Sequence, residues 1–172
     1  KYAIVGFIGR GGLGTVYRAI QHPVRRTVAI KVIKPRLNEG LDLKRRFQRE
    51  ARAVARLEHP SVVTLYDYGY DEARDLLYMV MEFCEGRELR ALIDAEAPIE
   101  PKRALELLDQ LLDALQQAHS RGLIHRDLKP ENLIIRDTPE GELVKVLDFG
   151  IAKLDEAAAG DARVLTGTSE IL

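Results

Sequence analysis

A glycine-rich segment near the start of the chain limits the possible folds more than any other feature of the sequence. Gly9, Gly11 and Gly14 give the pattern G-x-G-x-x-G, which lets backbone N–H groups approach phosphate oxygens without an intervening side chain. A dinucleotide-binding turn has the same spacing but requires a helix directly after the glycines. Here the strand-like residues Thr15–Ile20 follow instead, so the sequence predicts a hairpin. Its turn either binds phosphate or is a flexible turn without a ligand.

Hydrophobic periodicity divides the 172 residues into a strand-rich first part and a more helical second part. The predicted strands are Tyr2–Ile8, Thr15–Ile20, Thr27–Ile33, Val62–Tyr70, Leu76–Phe83, Leu133–Ile135 and Leu143–Leu147. Apolar residues at helical spacing predict helices over Leu41–Leu57 and Pro101–Ser120. This order predicts an α+β fold, in which a small antiparallel sheet with one helix precedes a mainly helical part.

The charge balance and the cysteine count disfavour several classes of protein. The chain has 26 basic and 27 acidic residues, for a net charge of -1, which argues against a protein that neutralises a nucleic-acid backbone. Cys84 is the only cysteine in the sequence, so we expect no disulfide framework and a reducing compartment, the cytoplasm. No apolar run in the sequence is long enough to predict a membrane span.

A lysine and a glutamate in the first part are predicted to form a buried ion pair. Alternation along the strand Thr27–Ile33 puts Ala29 and Lys31 on one face, although Lys31 could instead be a charge that guards an edge strand. Glu50 falls inside the apolar arc of the predicted helix Leu41–Leu57. Because an isolated buried charge costs several kcal/mol, Glu50 needs a cationic partner, and Lys31 is the nearest plausible one.

Two aspartates and an asparagine in the second part form a candidate metal site. Asp127 and Asp148 lie in loop contexts beside apolar strands, and Asn132 supplies a third oxygen. Mg²⁺ prefers such oxygen ligands, supplied sparingly and alongside nucleotide phosphates. Either aspartate alone could be a solvated turn residue, but the three residues together favour a metal site.

Four motifs, in this order along the chain, resemble the signature of protein kinases. They are Gly9-Arg10-Gly11-Gly12-Leu13-Gly14-Thr15-Val16, Val28-Ala29-Ile30-Lys31, His125-Arg126-Asp127-Leu128-Lys129-Pro130-Glu131-Asn132 and Asp148-Phe149-Gly150. The stretches Val16-Tyr17-Arg18-Ala19 and Asp148-Phe149-Gly150-Ile151-Ala152-Lys153 are similar to those of bacterial eukaryote-like (Hanks-type) Ser/Thr kinases.

The resemblance implies a bilobal protein-kinase-like fold. Residues 1–84 are expected to form the N-lobe, an antiparallel sheet with one helix, through the hinge. Residues 85–172 are expected to form the first part of a mainly helical C-lobe. The chain opens at Lys1 without a methionine and ends at Leu172, so we expect both ends to be cut. Because no Ala-Pro-Glu motif follows Asp148, we expect the chain to stop within the activation loop.

The resemblance assigns nucleotide binding to residues in both parts. It implies that Gly9, Gly11 and Gly14 cover the ATP phosphates and that Lys31, paired with Glu50, contacts the α- and β-phosphates. The residues implied to surround the adenosine are Val16, Ala29 and Ile134 around the ring, Met81 as gatekeeper, the Glu82 carbonyl and Cys84 amide at the adenine edge, and Glu88 at the ribose.

The resemblance also assigns the chemistry of phosphoryl transfer. Asp127 is expected to accept the proton of the substrate hydroxyl, and Lys129 to neutralise the γ-phosphate. Asn132 and Asp148 are expected to hold Mg²⁺. The lysine at position 129 resembles Ser/Thr kinases and differs from the tyrosine-kinase pattern, so we expect protein substrates modified at serine or threonine.

A regulatory role is implied for three further residues. Thr166 and Thr168 resemble the doubly phosphorylated Thr-x-Thr of bacterial activation loops, and Arg126 resembles the arginine that grips such a phosphorylated loop. As ordinary loop hydroxyls, the two threonines would have no such role.

Two other functions are compatible with the same motifs. A pseudokinase would bind or scaffold without catalysis, but it usually lacks Lys31, Asp127 or Asp148, and all three are present. A small-molecule phosphotransferase of the aminoglycoside or choline kinase type shares the H-x-D-x-x-x-x-N loop. Arg126, Lys129 and the Asp-Phe-Gly motif favour a protein kinase.

Overall fold

The first part of the chain forms a five-stranded antiparallel sheet in the computed structural model, which describes residues 1–11, 14–34 and 40–149. Its strands are β1 (Tyr2–Gly11), β2 (Gly14–Gln21), β3 (Arg26–Ile33), β4 (Leu65–Asp71) and β5 (Leu76–Glu82). They lie in the order β1-β2-β3-β5-β4, so β3 is the central strand. The predicted hairpin between β1 and β2 is confirmed, because the two strands pair antiparallel up to Gly11 and Gly14.

One helix, α1 (Gly40–Val54), covers one face of this sheet. Its Phe47 is fully buried in the same cluster as Ala29 of β3. The neighbours Val28 and Ile30 belong to a separate buried cluster on the opposite face. The prediction that Ala29 lies on the opposite face of β3 from Val28 and Ile30 is therefore confirmed. The face that carries Ala29 is the one that packs against α1.

The second part of the chain combines helices with a small sheet. Its elements are β6 (Arg87–Glu88), α2 (Leu89–Glu96), α3 (Pro101–Ser120), a 3₁₀ turn at Pro130–Asn132, β7 (Leu133–Thr138) and β8 (Gly141–Val146). The three strands form an antiparallel sheet in the order β6-β7-β8. Glu100 starts α3, because its carboxylate accepts the backbone N–H groups of Lys102 and Arg103 at 3.0 and 2.8 Å.

Some predicted element boundaries were wrong for identifiable reasons. The strand predicted from Val62 begins only at Leu65, because Val62 forms a β-bridge with Val146 of the second sheet instead. The helix predicted to Leu57 ends at Val54. The elements β6 and α2 were not predicted, since two and eight residues are too short for a clear period. Within residues 1–11, 14–34 and 40–149, no helix is both long and apolar enough to cross a membrane.

Candidate active site

The glycine-rich hairpin leaves open space on its strands. Gly9 pairs with Val16, and Gly11 pairs with Gly14. Gly14 has a φ of +156°, and a Cβ there would lie 2.2 Å from the Val32 carbonyl oxygen, so only glycine fits. A Cβ on Gly9 or Gly11 would meet no atom within 4 Å. A ligand can therefore approach the backbone of β1 at both positions.

Lys31 lies at the centre of the sheet with its ammonium group paired to Asp148. The register places Lys31 directly opposite Val16 on β2 and Met79 on β5. Its side chain is 7% exposed, and its Nζ lies 2.7 Å from Oδ2 of Asp148, whose side chain is 28% exposed. The contact joins residues 117 positions apart and links the central strand β3 to the segment after β8.

The predicted ion pair between Lys31 and Glu50 is not formed in the part of the chain that the structure describes. The Glu50 carboxylate contacts Arg49 instead, at 3.2 Å, and its side chain is 14% exposed. Glu50 therefore is largely buried, as its position in the apolar arc predicted, but another cation satisfies it. The buried ammonium group of Lys31 needs only one carboxylate partner, and in this structure the partner is Asp148.

The residues predicted to meet the adenosine lie on both sheets. Met81 is buried on β5, directly opposite Ala29 on β3. Ile134 on β7 pairs with the exposed Glu88 on β6. Cys84 follows β5 and is half-buried. These positions bring Met81 close to Ala29 and Glu88 close to Ile134, one pair on each sheet.

The predicted catalytic base, Asp127, is held by two side chains of its own loop. Its Oδ2 lies 2.8 Å from Nζ of Lys129 and accepts a hydrogen bond from Nδ2 of Asn132 at 3.1 Å. The same amide group also donates to the Asp127 carbonyl oxygen at 2.7 Å. The ammonium of Lys129 lowers the pKa of Asp127, and Asp127 in turn raises the pKa of Lys129. Asp127 is therefore ionised at neutral pH.

A buried histidine, His125, contacts the backbone at Asp127 and at the residue before Asp148, and no role was predicted for it from the sequence. Its Nε2 donates to the Leu147 carbonyl oxygen at 2.7 Å, and its Nδ1 accepts the Asp127 N–H at 3.3 Å. Its ring packs edge-on against Phe149, with 4.8 Å between the ring centres. Burial lowers the pKa of His125, so the ring is neutral and keeps both contacts. The feature of the sequence that could have revealed this role is the position of His125 in the His-Arg-Asp motif, two residues before Asp127.

Of the three residues predicted to be regulatory, the structure describes only Arg126. Arg126 is exposed and has a φ of +68°, which turns the chain between His125 and Asp127. Asp148 also has a left-handed φ, of +57°. Thr166 and Thr168 lie outside the described residues.

A cation with few protein ligands fits this site. The Asn132 Nδ2 is committed to Asp127, which leaves its amide oxygen as the atom that can bind a cation. Asp148 supplies a carboxylate. The described residues contain no group of three or more His, Cys, Asp or Glu side chains arranged to hold a metal. One carboxylate and one amide suit Mg²⁺ that is also bound by phosphates.

The similarity of this chain to known proteins extends over its whole length. The family described as "Protein kinase domain" matches residues 2–170. Across its whole length the chain is 42% identical to Serine/threonine-protein kinase pkn2 of Myxococcus xanthus. It is 37% identical to Serine/threonine-protein kinase PrkC of Bacillus subtilis and 36% identical to Serine/threonine-protein kinase PknA of Mycobacterium tuberculosis. It spans only 21%, 25% and 40% of the lengths of these three relatives.

The fold also matches solved structures of a kinase domain. A double mutant of the PknI kinase domain from Mycobacterium tuberculosis aligns with a TM-score of 0.75 and 28% identity, covering 87% of this chain and 58% of that one. A single mutant of the same domain aligns with a TM-score of 0.74 and 31% identity. The kinase-like fold predicted from the motifs is confirmed, and the chain belongs to the protein kinase family.

Proposed function

We propose that this chain is the ATP-binding and phosphoryl-transfer part of a protein kinase that modifies serine and threonine hydroxyl groups of proteins. The relatives named above support the substrate class, since all three are Ser/Thr protein kinases by name. The observation that carries the proposal is the meeting of two lysine–carboxylate pairs, Lys31–Asp148 at 2.7 Å and Lys129–Asp127 at 2.8 Å. His125 links the two pairs, because it contacts both the Asp127 N–H and the carbonyl oxygen of Leu147, the residue before Asp148.

The nucleotide lies between the two sheets in this proposal. The phosphates approach β1 at Gly9 and Gly11, where the backbone is open, and accept hydrogen bonds from Lys31. The residues proposed to surround the adenosine are Val16 and Ala29 on one side of the ring, Ile134 on the other, Met81 and the Glu82–Cys84 backbone at its edge, and Glu88 at the ribose.

Asp148 and the amide oxygen of Asn132 are proposed to hold Mg²⁺ together with the phosphates. When bound, the cation supplies positive charge that offsets the negative charge on the phosphate oxygens. The hydrogen bonds from Asn132 to Asp127 orient the amide for this role. The same bonds fix the metal-binding side chain relative to the proposed base.

Asp127 and Lys129 are proposed to act on the transferred group. The lowered pKa of Asp127 keeps its carboxylate ionised, so it accepts a hydrogen bond from the serine or threonine hydroxyl and takes its proton. The hydroxyl oxygen forms a bond to the γ-phosphorus while the bond to the β-phosphate oxygen breaks, and ADP leaves. Lys129 turns from Asp127 to the negative γ-phosphate.

The division of the chain into an N-lobe, residues 1–84, and a partial C-lobe, residues 85–172, stays a prediction. The five-stranded sheet ends at Glu82 and the three-stranded sheet begins at Arg87, which supports a boundary between them. We also propose a cytoplasmic location, on the strength of the single free cysteine and the need for ATP. Proteins are the proposed partners, bound as substrates.

The test is an Asp127→Asn substitution in the intact protein. Transfer of labelled γ-phosphate to serine- and threonine-containing peptides should fall by about 10²–10⁴-fold, the usual contribution of a general base. ATP binding should remain, because Asp127 acts on the acceptor. Asp137→Asn, an exposed position at the end of β7, is the matched control and should leave the rate unchanged.

Three outcomes would contradict the proposal in different ways. Binding of ATP without any transfer by the wild-type protein indicates a pseudokinase. Transfer to aminoglycosides or choline but not to peptides indicates a small-molecule phosphotransferase. Equal rates for Asp127→Asn and Asp137→Asn mean that Asp127 is not the base.

A further inference from the structure

A buried ion pair joins the two sheets away from the residues assigned to the phosphates. Lys145 of β8 is 7% exposed, and its Nζ lies 2.9 Å from Oε2 of Glu82, whose side chain is 18% exposed. The same ammonium lies 3.5 Å from the Val62 carbonyl oxygen, and the carboxylate accepts the Thr64 N–H at 3.4 Å. Burying two charges is costly, and an apolar pair of similar volume is often as stable. Stability alone therefore does not account for this pair.

The strand register connects the pair to the proposed nucleotide site. Lys145 lies directly opposite Ile134 on β7, and Ile134 is proposed to contact the side of the adenine ring that faces away from Val16 and Ala29. Glu82 is the last residue of β5, and its own carbonyl is one of the proposed adenine contacts. Three residues after Lys145 the chain reaches Asp148, which pairs with Lys31. The pair thus links the adenine end of the site to its phosphate end.

Other contacts of β8 do not make this link. The Val63 N–H donates to the Val146 carbonyl oxygen at 3.1 Å, and the Val146 N–H donates to the Ser61 carbonyl oxygen at 2.8 Å. The Leu147 N–H donates to the Asn132 carbonyl oxygen at 2.9 Å. These bonds attach β8 and Leu147 to the segment before β4 and to the 3₁₀ turn at Pro130–Asn132. Within the part of the chain that the structure describes, the side-chain bond from Lys145 is the only hydrogen bond between β8 and β5.

We propose that Lys145 is a positioning residue for nucleotide binding, acting through Glu82. By holding the Glu82 carboxylate it fixes the backbone of residues 82–84 relative to Ile134 and Asp148, so the adenine and phosphate contacts form together. The inference rests on the proposed function, because it requires ATP to bind between the two sheets. It predicts that loss of the pair weakens nucleotide affinity even where the fold is fully stable.

Cys84 offers a reporter of the two charges that does not depend on activity. It is half-buried, two residues after Glu82. Burial and the negative charge of Glu82 raise the pKa of its thiol to about 12, while Lys145 and Arg136 act in the opposite direction. Since the thiolate is the reactive form, the alkylation rate of Cys84 follows these charges. Removing the Glu82 charge should speed alkylation, and removing the Lys145 charge should slow it.

The experiment uses the intact protein with Lys145→Met, Glu82→Gln and the apolar double variant Lys145→Met/Glu82→Leu. Affinity for ATP in the presence of Mg²⁺ is measured by calorimetry, and the thermal midpoint is measured alongside. Lys102→Met is the matched control, because Lys102 pairs only loosely with Glu106 at 3.9 Å on an exposed helix face.

Lys145→Met should raise the Kd for ATP by roughly tenfold, a coupling within the range seen between contacting residues. The double variant should recover the thermal midpoint but keep the weakened affinity, which a merely structural role would not produce. Lys145→Arg, which retains the charge, should keep most of the affinity. Alkylation of Cys84, followed by peptide mapping, should speed up in Glu82→Gln and slow down in Lys145→Met.

Two results would overturn the inference. In the first, Lys145→Met and the double variant both bind ATP with the same Kd as the control Lys102→Met. The second is recovery of affinity together with stability in the double variant. A wild-type protein that binds ATP but transfers no phosphate would contradict the proposed function alone, since binding still tests the role of Lys145. If Lys145→Met does not fold, Glu82→Gln and the double variant decide.

Discussion

Asp148→Asn in the nucleotide-free protein tests how much of the fold depends on the ion pair with Lys31. The substitution keeps the shape of the side chain but leaves the ammonium of Lys31, 7% exposed, without its carboxylate. Removing one partner of a fully buried pair costs about 3–5 kcal/mol. Because Asp148 is 28% exposed, we expect a smaller loss, about 2–3 kcal/mol. For a domain of this size that lowers the thermal midpoint by about 4–12 °C.

The controls separate this effect from the general loss of a surface charge. Asp94→Asn removes an exposed partner of Arg90 on α2, four residues away, and should cost less than about 0.5 kcal/mol. The double variant Lys31→Met/Asp148→Asn should be more stable than Asp148→Asn alone, because methionine removes the stranded charge. Thermal unfolding by circular dichroism, without nucleotide, measures these three variants and the single variant Lys31→Met. The reasoning fails if Asp148→Asn costs no more than Asp94→Asn, or if the double variant loses at least the sum of the single losses.

Two further predictions concern the working state of the site. Glu50→Gln should change the nucleotide-free thermal midpoint little, because among the described residues the Glu50 carboxylate pairs only with the exposed Arg49. The same variant should lower phosphoryl transfer more than ATP affinity if nucleotide draws Lys31 to Glu50. Equal losses in rate and affinity, or none, would mean that the Lys31–Glu50 pair does not form during catalysis. Replacing Thr166 and Thr168 by alanine together should lower activity, since each phosphate adds about -1.5 to -2 charge that can order the loop. Phosphopeptide mapping after incubation with Mg-ATP checks this, and full activity with neither threonine modified would refute it.

Local patterns in the sequence were sufficient where one strand or one loop determines the outcome. Alternation along β3 correctly separated Ala29 from Val28, because side chains of a strand must point to opposite faces. Helical periodicity placed Glu50 in the apolar arc of α1, and its side chain is indeed largely buried. The motif around Asp127 likewise placed two of the predicted site residues together, since Asn132 lies within hydrogen-bonding distance of Asp127.

Contacts between distant elements could not be predicted from such patterns. Glu50 and Asp148 are both plausible partners of Lys31, and only the positions of α1 and of the segment after β8 decide between them. Lys145 alternates with buried valines on β8, which predicts an exposed charge. It is buried because the end of β5 covers that face and offers the carboxylate of Glu82. Tertiary packing, which periodicity does not contain, determines both cases.

In the proposed function, nucleotide binding would exchange the partners of the charged side chains and would leave no buried charge without a partner. Lys31 and Lys129 each lie beside a carboxylate, so neither cation is alone before the nucleotide arrives. Phosphates can take over both lysines, but they then leave Asp148 facing negative charge unless a divalent cation binds there. In the proposed function, the need for Mg²⁺ thus follows from the pairing of Asp148 with Lys31, and not only from the position of Asp148 in a motif. The third pair, between β5 and β8, takes no part in this exchange, so it can keep the two sheets in register while the other two pairs separate.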